Sequence, residues 1–300
     1  MKLYAPAYYQ DFQCIADRCT HSCCIGWEID VDGDTVKKYD ALSCDYADEI
    51  RRSIDRGGTP HFRLTADERC PHLDARGLCR IILSCGEDAL CDICREHPRF
   101  YHDTNQGREV GIGMACEEAA RLILSSDAYA SFSPIGEVDG EAVPLEFDAV
   151  SHRARLYAIL SDRSVPYEAR LQEIGALWEV SPRDFSDSDW KELLSRLEYL
   201  DEGHKDLFSA YSSTVGQAKN APVLERALAY FIFRHCSDAC DADEFRASLG
   251  CALFCERLLA SLIASNPSVS PTVLARTVSE ELEYSEENTE GIKTEFFTLL

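Results

Sequence analysis

Four thiols fall within eleven residues near the start of the chain, in the order Cys14-x4-Cys19-x3-Cys23-Cys24, followed by Gly26-Trp27. Thiolates are soft donors suited to zinc and iron–sulfur clusters, and clustering near one turn limits the chain entropy lost in assembling a site. A second set follows as Cys70-x8-Cys79-x5-Cys85-x5-Cys91-x2-Cys94, with Cys116 after twenty-one residues. Together the two sets exceed the four ligands of one [4Fe–4S] cluster or one structural zinc, so either two sites exist or several cysteines are bystanders. Cysteine is among the most buried residue types, and Cys44 and Cys85 read as small packing residues. So do Cys236, Cys240, Cys251 and Cys255, whose two pairs have i, i+4 spacing inside apolar helical stripes.

Other chemistries lack their signatures. The cluster motif of radical S-adenosylmethionine enzymes, Cys-x3-Cys-x2-Cys, has Gly26 where the third cysteine belongs. Gly111-x-Gly113 lacks the third glycine of a nucleotide loop and reads as a turn. His97 and His102 could be ligands but read as surface residues amid abundant thiols. With 53 Asp and Glu against 30 Lys and Arg, the net charge of −23 excludes a general nucleic-acid binder, because phosphate affinity comes largely from cationic side chains. Met1–Pro6 has no apolar signal core, and the most apolar stretch, Leu249 to Ala264, is broken by Glu256 and Arg257, so neither export nor a membrane span is expected. The expected compartment is the cytoplasm, where thiols bind metal or cycle redox sooner than they form disulfides.

The elements that position these thiols change character along the chain. Eleven cysteines lie between Cys14 and Cys116, in a stretch rich in turn signals (Asp32-Gly33-Asp34, Gly57-Gly58-Thr59-Pro60, Arg76-Gly77). Downstream the pattern is helical: Trp190, Leu193, Leu194, Leu197 and Leu200 form one stripe, Val223 to Ile232 a second and Phe245 to Leu259 a third. Ser270-Pro271 reads as the N-cap and first residue of a further helix. The expectation is a mainly α protein, with a Cys-rich irregular and helical metal-binding region over residues 1–130 packed on a helical region over 131–300. Ser131 to Pro144 reads as the linker, the acidic run Ser279 to Glu290 as a solvated face or tail, and Trp27 to Val31 as part of a short hairpin.

The run Tyr9-x2-Phe12-x-Cys14-x4-Cys19-x3-Cys23-Cys24-x-Gly26-Trp27-x-Ile29 resembles the opening of the flagellin lysine N-methylase (FliB) family, related to YkgJ-type zinc- or iron-chelating domains. Cys70-Pro71-His72-Leu73, Gly77-Leu78-Cys79-Arg80-Ile81, Gly86-Glu87-x2-Leu90-Cys91, Cys94-Arg95-x2-Pro98-Arg99 and Cys116-x-Glu118-Ala119-Ala120-Arg121-Leu122 are similar to it as well. The helical half resembles it through Arg155, Arg170-Leu171 and Leu224-Glu225-Arg226-Ala227-Leu228-x-Tyr230-x2-Phe233-Arg234, whereas the four late cysteines have no counterpart. The resemblance implies an enzyme that moves methyl groups from S-adenosylmethionine to flagellin lysines and carries an iron–sulfur cluster of the 4Fe-4S kind, with zinc as the alternative metal. By matching position it implies Cys14, Cys19, Cys23, Cys24, Cys70, Cys79, Cys94 and Cys116 as metal ligands, with Cys91 a weaker match.

Methylating lysine needs a neutral amine in line with the sulfonium methyl. Tyr8, Tyr9, Asp30, Glu87 and Glu118 lie in the matched segments and could take its proton, although exposed carboxylates are usually just solvated. Arg95 and Arg99 could bind the cofactor carboxylate, or simply offset the negative charge of thiolates. The acidic surface suits a partner with accessible lysines, flagellin or another protein, and neither nucleic acid nor membrane. The competing expectation is a non-catalytic zinc- or iron-binding or redox protein, which needs no cofactor pocket beside its metal.

Overall fold

A computed structural model describes residues 1–141, 145–182, 185–213 and 220–297. In chain order the elements are strand β1 (Lys2–Pro6), then β2 (Ile29–Asp30), α1 (Gly33–Ala41), α2 (Ala47–Ser53), β3 (Ile54–Asp55), β4 (His61–Phe62), α3 (Arg80–Cys85) and α4 (Asp92–Glu96). These are followed by β5 (Arg99–Thr104), β6 (Gly107–Ile112), α5 (Glu117–Ser125), β7 (Phe132–Glu137), α6 (Ala149–Ser161), α7 (Tyr167–Leu177), α8 (Asp187–Arg196) and α9 (Glu202–Ser209). The chain ends with α10 (Ala221–Cys236), α11 (Ala242–Ser265), α12 (Pro271–Glu283) and α13 (Glu286–Phe297). The protein is mainly α, as the helical periodicity predicts.

The chain forms two compact units, one made of Met1–Phe12 with Phe100–Leu300 and one of Gln13–Arg99. This division falls elsewhere than residue 130, and the reason is strand pairing. Phe132–Glu137 is strand β7, paired antiparallel to β1 from Lys2↔Glu137 to Pro6↔Phe132, in a sheet of order β5-β6-β1-β7. Part of the expected linker is therefore sheet, and its residues 142–144 lie outside the described ones. β1 also runs parallel to β6, with Leu3 opposite Arg108, so the cysteine-rich unit is an insertion between two strands of one sheet.

In the larger unit α11 is the central helix. It is apolar and long enough, by length and composition alone, to cross a bilayer, yet 94% of its most apolar window is buried within the protein. It packs on α10, α12 and α13, and Trp190 of α8 stacks on its Phe254 at 3.9 Å. Gly111 is a strand residue, not a turn: a Cβ there would sit 2.6 Å from Phe233 Cε1 and closer still to the Phe100 ring. The Trp190 stripe ends early, because α8 stops at Arg196 and Leu200 is exposed. Ser270 caps α12 by accepting from the Thr272 amide, as its sequence predicts.

The acidic run is not a solvated face throughout. Glu280, Glu281 and Glu283 are buried, each against a polar partner: Arg276 for Glu280, His204 at 2.5 Å for Glu281, and the Tyr230 hydroxyl at 2.7 Å for Glu283. Charges buried this way persist because they are paired and hydrogen-bonded. Glu286, Glu287 and Glu290 are exposed. The same pairing holds Arg153 to Glu109 through two hydrogen bonds, 2.8 and 2.5 Å long. His102 is likewise buried, with Nδ1 2.6 Å from Asp238, which corrects its reading as a surface residue.

Candidate metal centre in the cysteine-rich unit

Residues 13–99 have little regular structure and a small core of their own, built on Ile29, Val31, Tyr39, Ile50, Ile54 and Phe62. β2 pairs with β4, Ile29 opposite Phe62, rather than with a neighbouring strand in a local hairpin, and β3 pairs with the other edge of β4. Against this core the thiols are set by short backbone ladders. Cys70 donates its amide to the Cys24 carbonyl at 2.8 Å and Gly26 donates to Glu68 at 2.9 Å, which joins the first cysteine set to the second. Gly77 takes a φ of +79°, a conformation glycine adopts without strain, and closes the turn that brings Cys79 back beside Leu73. The Asp74 carboxylate holds that turn by accepting from the amides of Arg76 (2.8 Å) and Leu78 (2.9 Å).

Cys79 and Cys91 stand at the N-terminal ends of α3 and α4. Asp32 caps α1 through the Thr35 amide and also accepts from the Asp92 amide at 3.1 Å, so the start of α4 is anchored to the start of α1. Backbone amides point at the sulfurs: that of His72 at Cys70, those of Ile82 and Ile81 at Cys79, and that of Cys94 at Cys91. Such donors stabilise thiolate charge, the form in which cysteine binds metal.

Five thiols act on one another electrostatically. Cys70 feels Cys24, Cys79 and Cys91; Cys79 feels Cys24 and Cys91; Cys94 feels Cys91, Cys24 and Cys70. Burial pushes the Cys70 thiol up to about 12 and also raises Cys79. The hydrogen bond from Cys23 brings Cys24 down to about 7 against the opposing effect of burial, helped by Ser22 and Arg69. Within the Cys91–Cys94 pair the shared hydrogen bond favours charge on Cys91 and the protonated thiol on Cys94. A cation placed among these sulfurs would reverse the cost of ionising them, with release of protons.

Donor chemistry and burial fit a soft metal group. Among the described residues, the group of three donors that closes to within 4.8 Å of one another lies elsewhere, in the helical unit. A single zinc ion needs that closeness, whereas a four-iron cluster attaches each thiolate to a different iron and so spreads them wider.

Of the remaining candidate ligands, Cys23 hydrogen-bonds to Cys24 at the edge of this set. Cys14 and Cys23 are exposed, Cys19 donates its thiol to the His21 carbonyl at 2.7 Å, and Cys116 belongs to the larger unit, at the N-cap of α5. Cys44 and Cys85 pack against the core as their reading expects, but they are also joined by a disulfide, which departs from the expectation that thiols here bind metal or cycle redox sooner than they pair. Their Cα atoms, 5.7 Å apart, are placed by α2 and α3 folding over the same core. Arg95 pairs with Asp92 and, at 3.6 Å, with Glu96, and Arg99 donates to the Arg95 carbonyl at 3.2 Å. Glu118 is engaged by both nitrogens of Arg121 (2.7 and 2.6 Å), Tyr8 is buried, and Asp30 and Glu87 are exposed. A cavity of about 360 Å³ lies in the larger unit, lined by Leu171, Gly175, Val180, Leu253 and Arg257 among others, and no cysteine borders it.

His72 carries a role that spacing alone does not reveal. Its ring is buried between the Tyr46 hydroxyl (3.1 Å from Nδ1) and Ser53 Oγ (2.9 Å from Nε2), two residues from Cys70. Burial, reinforced by Arg80, pulls its pKa down to about 4, so the imidazole is neutral and acts as a strut for the Cys70 turn. The signal lay in Cys70-Pro71-His72, where a histidine follows a thiol in a segment already read as important.

No family model and no solved structure matches the chain. It is 31% identical over 134 residues to a lysine-N-methylase of Salmonella choleraesuis (strain SC-B67), covering 42% of this chain and 33% of that protein. A lysine-N-methylase of Salmonella typhimurium (strain LT2) matches over the same length at 31% identity. The flagellar biosynthetic protein FliU of Salmonella muenchen is 32% identical over 134 residues, which is 79% of its own length. The match thus spans about a third of the two lysine-N-methylases, 33% of each.

Proposed function

The chain belongs to the family of the flagellar biosynthetic protein FliU and the lysine-N-methylases, and on that premise we propose that it is a protein lysine N-methyltransferase. In this reading it uses S-adenosylmethionine, acts in the cytoplasm on flagellin or another lysine-bearing protein, and holds an iron–sulfur cluster on its thiols. The observation that carries the reading is the convergence of Cys24, Cys70, Cys79, Cys91 and Cys94 on one small core, in a chain related to lysine methylases.

When bound, a cluster supplies an electron-transfer centre whose potential is set by burial and by hydrogen bonds to its sulfurs. The chain's own residues provide both: amides of His72, Ile81, Ile82 and Cys94 donate to the sulfurs, and Cys70 and Cys91 are buried. The net charge of −23 raises the local concentration of a lysine-rich partner and speeds encounter. Transfer forms a bond from the lysine nitrogen to the methyl carbon, breaks the carbon–sulfur bond and releases one amine proton. Tyr8, whose phenol burial keeps protonated, and Glu118, committed to Arg121, are poorly placed to accept that proton. The half-buried Tyr9 and the exposed Asp30 and Glu87 remain as acceptors.

The test is incubation of anaerobically purified protein with methyl-labelled S-adenosylmethionine and flagellin, with mass spectrometry of flagellin lysines. Label on lysine, lost in a Cys24→Ser/Cys70→Ser variant, is expected; no label from iron- and sulfide-loaded protein refutes it. A non-catalytic metal-binding or redox role is the second reading, favoured because no cysteine is among the residues lining the 360 Å³ cavity. Retained metal without binding of S-adenosylmethionine would select it.

A further inference from the structure

We propose that the helical unit contains a separate metal site for a zinc-type divalent cation, formed by His235, Cys251 and Cys255 beside Glu283. The cysteines lie one turn apart on α11, where i, i+4 spacing puts both side chains on one face. His235 comes from the last turn of α10 and Glu283 from the end of α12, so three helices meet there. One donor atom each from His235, Cys251 and Cys255 fall within 4.8 Å of one another, and all three residues are buried. Donors around a tetrahedral zinc stand roughly 3.5–3.8 Å apart, as follows from bond lengths of about 2.0–2.3 Å, so the group closes on an ion with shifts of about 1 Å.

A second observation separates this group from ordinary core packing. His235 Nε2 and Glu283 Oε1 face each other at 3.1 Å, yet neither atom makes a hydrogen bond of acceptable geometry, and both side chains are at least 96% buried. The two atoms form a buried ion pair without hydrogen-bond geometry, an arrangement that leaves both lone pairs open to a third partner such as an ion. The other carboxylate oxygen of Glu283 is already held by the Tyr230 hydroxyl at 2.7 Å and by Ser279, which fixes the carboxylate against the imidazole. A carboxylate beside a ligating histidine either orients the ring or completes the coordination. Two thiolates neutralise a divalent cation, so a loaded site would add little net charge to the core.

Two thiols and an imidazole select zinc over hard cations such as magnesium or calcium, which prefer oxygen donors. The site has no thiol in common with the cysteine-rich unit, so it tests independently of the proposed cluster.

The experiment compares zinc and iron content of the full-length wild type with Cys251→Ser/Cys255→Ser and with His235→Asn, purified identically. Expected is a loss of about one zinc per chain in both variants, with iron and the far-ultraviolet spectrum unchanged. Equal zinc in folded variants and wild type overturns the proposal. Should the variants fail to fold, zinc-edge absorption spectroscopy of the wild type decides: a mixed sulfur and nitrogen shell supports the site. An all-sulfur shell, or wild type without chelator-resistant zinc, overturns it.

Discussion

Glu225 offers the sharpest test of how the helical unit is held together. Its carboxylate, 2% exposed, accepts from Arg170 at 2.7 Å, from Arg163 at 2.9 and 3.0 Å and from the Tyr129 hydroxyl at 2.8 Å. The partners are not equivalent. The Arg170 side chain is 5% exposed and stays desolvated, whereas Arg163 is 53% exposed and can return to water. Replacing Glu225 by Gln therefore leaves one buried, uncompensated guanidinium, a defect that costs about 3–5 kcal/mol, while the Arg163 contact adds only about 0–1 kcal/mol. Removing both charges in Glu225→Leu/Arg170→Met should recover most of that loss, because the cost lies in the orphaned charge. Urea unfolding followed by tryptophan fluorescence reads both variants, Trp190 being buried in the same unit. The pH dependence gives a second readout. Burial raises the Glu225 pKa, but the hydrogen bonds from Arg163, Arg170 and Tyr129 outweigh it and hold the group below its ordinary value. The stabilisation is thus present above the unfolded carboxylate pKa of about 4.3 and is lost as pH falls through the lower folded value. A single variant that costs less than about 1 kcal/mol, or a double variant worse than the single, would refute the reasoning.

Three further outcomes follow from the structure. Cys23→Ala/Cys24→Ala should abolish iron and sulfide loading and lower the melting temperature, since metal binding at such sites is also folding energy; retained iron and sulfide with unchanged melting would exclude Cys24 from the cluster. His72 should give a neutral imidazole signal by NMR down to pH values well below 6.5, and its unit should lose stability as pH falls from about 6.5 toward the folded value of about 4, because the unfolded state binds the proton first. Normal titration near 6.5 in the folded protein would contradict the buried strut. Gly111→Ala must push a methyl into Phe100 and Phe233, an overpacking that costs about 1–3 kcal/mol by thermal or urea denaturation, and a neutral effect would show that these rings can yield.

The helices were legible where local pattern and tertiary environment agree. Phe245, Leu249, Ala252 and Leu253 all fall on α11 and are buried, and Ser270-Pro271 opens α12 because a cap and a fixed φ act within a single turn. What escaped depends on partners distant in sequence. Glu281 reads as solvated acid until His204 and the Leu200 and Asp201 amides are brought to it, 77 to 81 residues away along the chain. Nothing within Phe132–Glu137, a segment holding Pro134 and Gly136, announces that β1 will pair with it, so a strand there reads as a linker.

The thiols show the same limit on a finer scale. Spacing near one turn made Cys14-x4-Cys19-x3-Cys23-Cys24 look like one site, yet only Cys24 of the four packs against the inner core, because the Cys24–Cys70 and Gly26–Glu68 backbone bonds draw in that end of the run. Cys91 joins the group through the short helix it opens and the Asp32 carboxylate that anchors the next residue, neither of which spacing encodes. The late cysteines invert the case: i, i+4 spacing in an apolar helix predicts packing for Cys251 and Cys255, and burial agrees. What changes their meaning is a histidine and a carboxylate delivered by two other helices. Cysteine spacing within a segment therefore marks which residues can reach one another locally, whereas the chemistry of a site is decided by which segments the core brings together.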